Sequence, residues 1–119
     1  MSTPKEGLLL RIFLGESDKH GLVPLYEWIV RKAKEHGLAG ATVLRGREGF
    51  GVHGKIHAAE TYRLSSDQPV VIEIVDTHEK INSFIPIIDE AISEGLAMVK
   101  EVEIRFYRRG NESRSERIR

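Results

Sequence analysis

The chain contains no cysteine. A disulfide framework, a thiolate zinc site and a thiol nucleophile are therefore excluded. It also lacks an excess of either charge. The 18 Lys and Arg are matched by 18 Asp and Glu, so bulk electrostatics point to neither nucleic acid nor a membrane surface as partner. Long apolar runs are missing too, and no stretch approaches the roughly 20 residues that a membrane-spanning helix needs. Residues 1–6, Met-Ser-Thr-Pro-Lys-Glu, lack the apolar segment of a signal peptide. The expected location is the cytoplasm. The length of 119 residues fits one domain, large enough to hold a core without a disulfide or metal staple.

Glycine is plentiful by contrast, and it is concentrated. The stretch Gly46-Arg47-Glu48-Gly49-Phe50-Gly51-Val52-His53-Gly54-Lys55 has four glycines in ten residues. Glycine allows positive φ and close approach of backbone to a ligand. Successive exposed N–H groups in such a loop can form an anion-binding concavity. The loop lies between apolar runs, so the rest of the chain reads as the scaffold that carries it.

Taken in order, residues 1–6 read as a flexible lead-in. Leu8 to Leu14 is a short, almost continuous apolar run; its length favours a strand, either buried on both faces or half-buried. Gly15 to Gly21 is turn chemistry. A helix is expected from Val23, with Pro24 in its first turn, where the missing N–H costs nothing. Leu25, Ile29 and Ala33 form its apolar stripe and Arg31, Lys32, Lys34 and Glu35 its polar face. Gly37 closes it. Leu38 to Arg45 reads as the second strand.

Beyond the glycine loop, Glu60 to Leu64 alternates, Ser65 to Pro69 turns, and Val70 to Val75 is the clearest strand. A second helix runs from an N-cap at Thr77 to Ser93, with Ile81, Phe84, Ile85, Ile88 and Ile92 on one side. Pro86 within it predicts a kink or a later start. Leu96 to Tyr107 is the last strand. The tail from Arg108 to Arg119 has five Arg against two Glu, a charge of +3, and reads as disordered. The domain is thus residues 7–107. The order βαββαβ is the ferredoxin-like α+β arrangement, an antiparallel sheet with two helices on one face.

Gly49-Phe50-Gly51-Val52-His53-Gly54 matches G-x-G-x-x-G. A dinucleotide site would need a helix opening at the loop, and Lys55 to Leu64 is too short and strand-like. A Walker loop would need Ser or Thr where Ile56 follows Lys55. A phosphate cradle and a hairpin without a ligand remain as readings. His53 and His57, with Glu60 beyond, could share a metal on one strand face. Two solvated histidines is the plainer reading. Ser17-Asp18 and Ser65-Ser66-Asp67 are turn residues rather than a catalytic set. The fold order would also suit an RNA-recognition motif, but the aromatics that stack bases are missing at Val52 and Gly54.

Gly40-Ala41-Thr42-Val43, Gly49-Phe50-Gly51 and Pro69-Val70-Val71-Ile72-Glu73-Ile74-Val75-Asp76 resemble the nitrogen-regulatory PII signal proteins. Residues 7–107 resemble more closely an uncharacterised bacterial and archaeal PII-like family. Its marks are Gly15-Glu16-Ser17-Asp18, Pro24-Leu25-Tyr26, Gly37 to Gly46, and Gly49 to Gly51.

The resemblance implies a ferredoxin-like homotrimer with the loop projecting from it. An adenine nucleotide would sit between neighbouring subunits, and the loop would grip a channel, transporter or enzyme. By position, Gly40 and Thr42 would lie near the base, Gly49, Phe50 and Gly51 at the loop root, and His53 where PII has glutamine. PII also has a glycine- and lysine-rich phosphate loop before its last strand. Here Ser93 to Ala97 has no lysine, leaving Arg105 and Arg108 as the cations.

The expected function is non-enzymatic regulation, with no required cofactor. A small anionic effector, read as an adenine nucleotide, would act through residues 46–60. A metal-binding trimer using His53 and His57 is the alternative, and RNA binding is the third reading.

Overall fold

The computed structural model describes residues 5–46, 68–108 and 110. Its strands are β1 (Lys5–Gly15), β2 (Lys19–His20), β3 (Val23–Pro24), β4 (Thr42–Arg45), β5 (Pro69–Asp76) and β6 (Leu96–Ile104). The helices are α1 (Leu25–Glu35) and α2 (His78–Ala91). The main sheet has the order β4-β5-β1-β6, with every pairing antiparallel. With the β2–β3 hairpin set aside, this is the ferredoxin-like order that the alternation of strands and helices predicts.

Alternation along β1 and β5 decides which face is covered. Leu8, Leu10, Ile12 and Leu14 lie in register with Asp76, Ile74, Ile72 and Val70, and all eight are buried. Leu25, Ile29 and Ala33 of α1 and Ile81, Phe84 and Ile88 of α2 complete this core. Both helices therefore cover one face. The other face carries Phe13, Leu44, Val75, Leu96 and Met98, all exposed. At its middle Arg11 donates from Nε to Oε2 of Glu73 at 2.8 Å.

Several boundaries differ from the sequence expectation. β1 begins at Lys5, inside the expected lead-in, because Lys5 and Glu6 pair with Ile104 and Glu103. Val23 and Pro24 are strand residues paired with His20 and Lys19. Pro24 has ψ of 134° and stands at the N-cap rather than in the first turn. The first helical N–H, that of Leu25, is taken by the Asp18 carbonyl at 2.7 Å.

Residues 38–41 are irregular rather than strand, since the Ala39 N–H goes to Asp76 and not to a ladder. β6 stops at Ile104, the partner of Lys5, so Arg105 to Tyr107 are not strand. α2 ends at Ala91 and runs unbroken through Pro86. Pro86 is exposed, as is Asn82 one turn earlier, so the carbonyl that loses its N–H partner lies on the solvated side. Glu60 to Leu64 and most of the tail fall outside the described residues.

Candidate functional site

The end of the sheet at which β1 begins and β5 finishes holds a cavity of about 560 Å³. That is within the usual range for small-molecule sites. Three pieces of chain form it. Ala39, Gly40, Ala41 and Thr42 lead into β4. Glu73, Val75, Asp76 and Thr77 come from β5 and the start of α2. Lys5 and Ile104, followed by Phe106 and Tyr107, come from the paired ends of β1 and β6. Thr42 and Glu73 are register partners on the open face, so the cavity continues that face past the sheet end.

Asp76 holds two of these pieces together. Its Oδ2 accepts from the Ala39 N–H at 2.8 Å, and its Oδ1 from the Thr77 N–H at 2.7 Å. Thr77 caps α2, its hydroxyl accepting from the Lys80 N–H at 3.2 Å. Lys80 reaches back and donates to the Gly37 carbonyl at 3.1 Å. The chain entering the 38–41 segment is thus tied, at Gly37 and Ala39, to the residues that open α2. A carboxylate here also complements the positive end of the helix.

The opposite end of the sheet carries the root of the glycine-rich loop. The Gly46 N–H donates to Pro69 O and the Glu16 N–H to Gln68 O, each at 2.7 Å. An ion pair joins Arg45 to Glu16. The chain therefore leaves β4 and returns to β5 at one place. Between this root and the cavity lies β4, four residues long, or roughly 10 Å of strand.

The residues expected to bind nucleotide are distributed accordingly. Gly40 and Thr42 line the cavity. Gly49, Phe50, Gly51 and His53 lie outside the described residues, as do His57 and Glu60 of the metal alternative. Among the described residues there is no group of three or more potential metal ligands. Arg105 and Arg108 are not in the cavity lining. Arg105 donates to Glu103 at 2.9 Å, and the Arg108 guanidinium lies over the Phe106 ring at 4.2 Å.

Sequence reasoning passed over Phe106 and Tyr107, which read as the end of a strand. It also passed over Asp76, whose position one residue before a helix cap was the available signal.

Residues 7–104 match the DUF190 family, described as uncharacterized ACR, COG1993, and the chain belongs to that family. It is 40% identical over 96 residues to a UPF0166 protein of Aquifex aeolicus, covering 81% of this chain and 90% of that protein. A UPF0166 protein of Methanocaldococcus jannaschii is 37% identical over 97 residues, covering 81% and 89%.

Among solved structures, the chain is similar to CPII of Thiomonas intermedia K12, a nitrogen regulatory PII-like protein bound to ADP, AMP and bicarbonate. The TM-score is 0.63 at 17% identity, over 87% of this chain and 92% of that one. A PII-like signaling protein from Thermus thermophilus has a TM-score of 0.63 at 19% identity, covering 87% and 93%. The fold is PII-like. No helix among the described residues is long and apolar enough to cross a membrane.

Proposed function

We propose that this protein is a PII-like regulator. An adenine nucleotide would occupy the cavity at the boundary between copies of a trimer, and residues 46–60 would present the result to a protein partner such as a channel, transporter or enzyme. The observation that carries this reading is the cavity itself, which gathers Gly40 and Thr42 with the end of β5 at the rim of the open sheet face. The PII-like neighbour bound to ADP and AMP supports an adenine nucleotide as the ligand.

The division of the expected residues supports a site shared between copies. Gly40 and Thr42 are at one end of β4, and the loop that contains Gly49 to Gly51 starts at the other. One copy offers a cavity wall at one end and a loop root at the other. Placing the open faces together lets the loop root of one copy approach the cavity of the next. An effector that prefers one loop conformation then shifts the population shown to a partner.

The test is thermal unfolding and calorimetric titration of the full chain with AMP, ADP, ATP and cyclic AMP. A ligand at a hundredfold excess over its Kd adds about 2.7 kcal/mol of apparent stability. Gly40→Leu should abolish that gain and leave the ligand-free stability unchanged, because a Cβ at Gly40 meets nothing within 4 Å. No shift with any of the four would remove the nucleotide reading.

A further inference from the structure

A nucleotide offers a site two handles, a flat base and a run of phosphates. The cavity is poor in what phosphates need. A helix N-terminus is the usual place for an anion, and α2 begins in the cavity wall. That position is already filled by the protein's own carboxylate. Asp76, 9% exposed, accepts the Thr77 and Ala39 N–H groups, and the Thr77 hydroxyl takes that of Lys80. Cationic side chains are few in the described lining. Lys5 is the one cation among the lining residues described, against the carboxylates of Glu73 and Asp76. Lys80 is held by the Gly37 carbonyl, Arg105 by Glu103, and Arg108 lies on Phe106.

The other handle is well served. Phe106 and Tyr107 leave the sheet beyond Ile104 and reach the cavity as side chains 57% and 45% exposed. Arg108 lies over one face of the Phe106 ring, and a flat heterocycle can cover a ring face still exposed beside the cavity, in a stacking that is tolerant of register.

We propose that Phe106 and Tyr107 stack the base, that they set the affinity of the site, and that phosphates beyond the first add nothing to it. This rests on the nucleotide reading above and specifies which part of the nucleotide is read. The fixed carboxylate of Asp76 acts against each added phosphate, while the stacked ring contributes equally for adenosine, AMP and ATP.

Calorimetric titration of the full chain with adenosine, AMP and ATP, at low and high salt, tests it. AMP should bind at least as tightly as ATP, and its affinity should change little with salt. Phe106→Leu and Tyr107→Leu should each weaken AMP by about tenfold. Phe106→Trp should retain wild-type affinity, and the thermal unfolding of all three variants should match wild type. ATP binding tenfold or more tightly than AMP would overturn the inference, as would leucine variants that bind like wild type. Either result leaves the nucleotide reading standing. Failure of the wild-type chain to bind any of the three removes the site reading, and this inference with it.

Discussion

Asp76 shows what one side chain can organise. It is a buried carboxylate with both oxygens satisfied by backbone N–H groups from different segments. Such bonds are charge-assisted and stronger than neutral ones. Asp76→Asn keeps the shape but turns one acceptor into an NH₂ that faces an N–H donor. It should cost about 1–3 kcal/mol, the usual penalty for an unsatisfied buried polar group, and urea denaturation would measure it. The same variant removes a negative charge from the cavity wall, so titration should show ATP gaining affinity relative to AMP. In the sequence, Asp76 is simply the last residue of an apolar strand before a helix cap. Its second partner, Ala39, is 37 residues away, which is why local reading did not find it.

At the scale of elements, the end of α1 was the most legible feature. Gly37 has φ of 75°, the left-handed region that glycine enters without penalty. The Leu38 N–H donates to Ala33 O at 3.0 Å and the Gly37 N–H to Lys34 O at 3.1 Å. This is the Schellman closure, with Leu38 and Ala33 both buried. Gly37→Ala should lose about 1 kcal/mol, readable as a lower midpoint in chemical denaturation. It should also loosen the 38–41 wall, since Lys80 anchors to the Gly37 carbonyl. The start of α1 was less legible. Pro24 fits a first helical turn and an N-cap equally well by its fixed φ. The choice was made by pairing of Val23 and Pro24 with His20 and Lys19, a contact that helix periodicity does not contain.

At the scale of the whole molecule, the sheet has one face buried and one open. Phe13, Val75, Leu96 and Met98 are each between 37% and 55% exposed on the open side, around the Arg11–Glu73 pair. Exposed apolar side chains gathered on one sheet face, here on either side of an ion pair, suit an interaction surface. In the proposed trimer it packs against its copies, and the central ion pair leaves water as a matched unit. Phe13→Asp places an unpaired charge on that face while sparing the core. Light scattering should then report the 13.5 kDa monomer where wild type gives a trimer. A variant that remains trimeric would move the interface elsewhere.

The sequence by itself determined the order of the long strands and helices, the apolar stripes of the helices, the Thr77 cap and the Gly37 closure, because these follow from local periodicity and backbone preference. The stripe of α2 has one good burial solution, whereas Leu8 to Leu14 is a nearly continuous apolar run that fits a strand buried on one face or on both. Through its resemblance to a family, it also named Gly40 and Thr42, which the fold brings to a cavity. Only the tertiary structure decided what stands beside them. Phe106 and Tyr107 reach the cavity because the described ladder between β1 and β6 ends at Lys5 and Ile104. Arg105 and Arg108 were drawn to Glu103 and Phe106 instead. The first outcome depends on the register between distant strands, which no window along the chain contains; the second is made between residues only two apart, once β6 has ended.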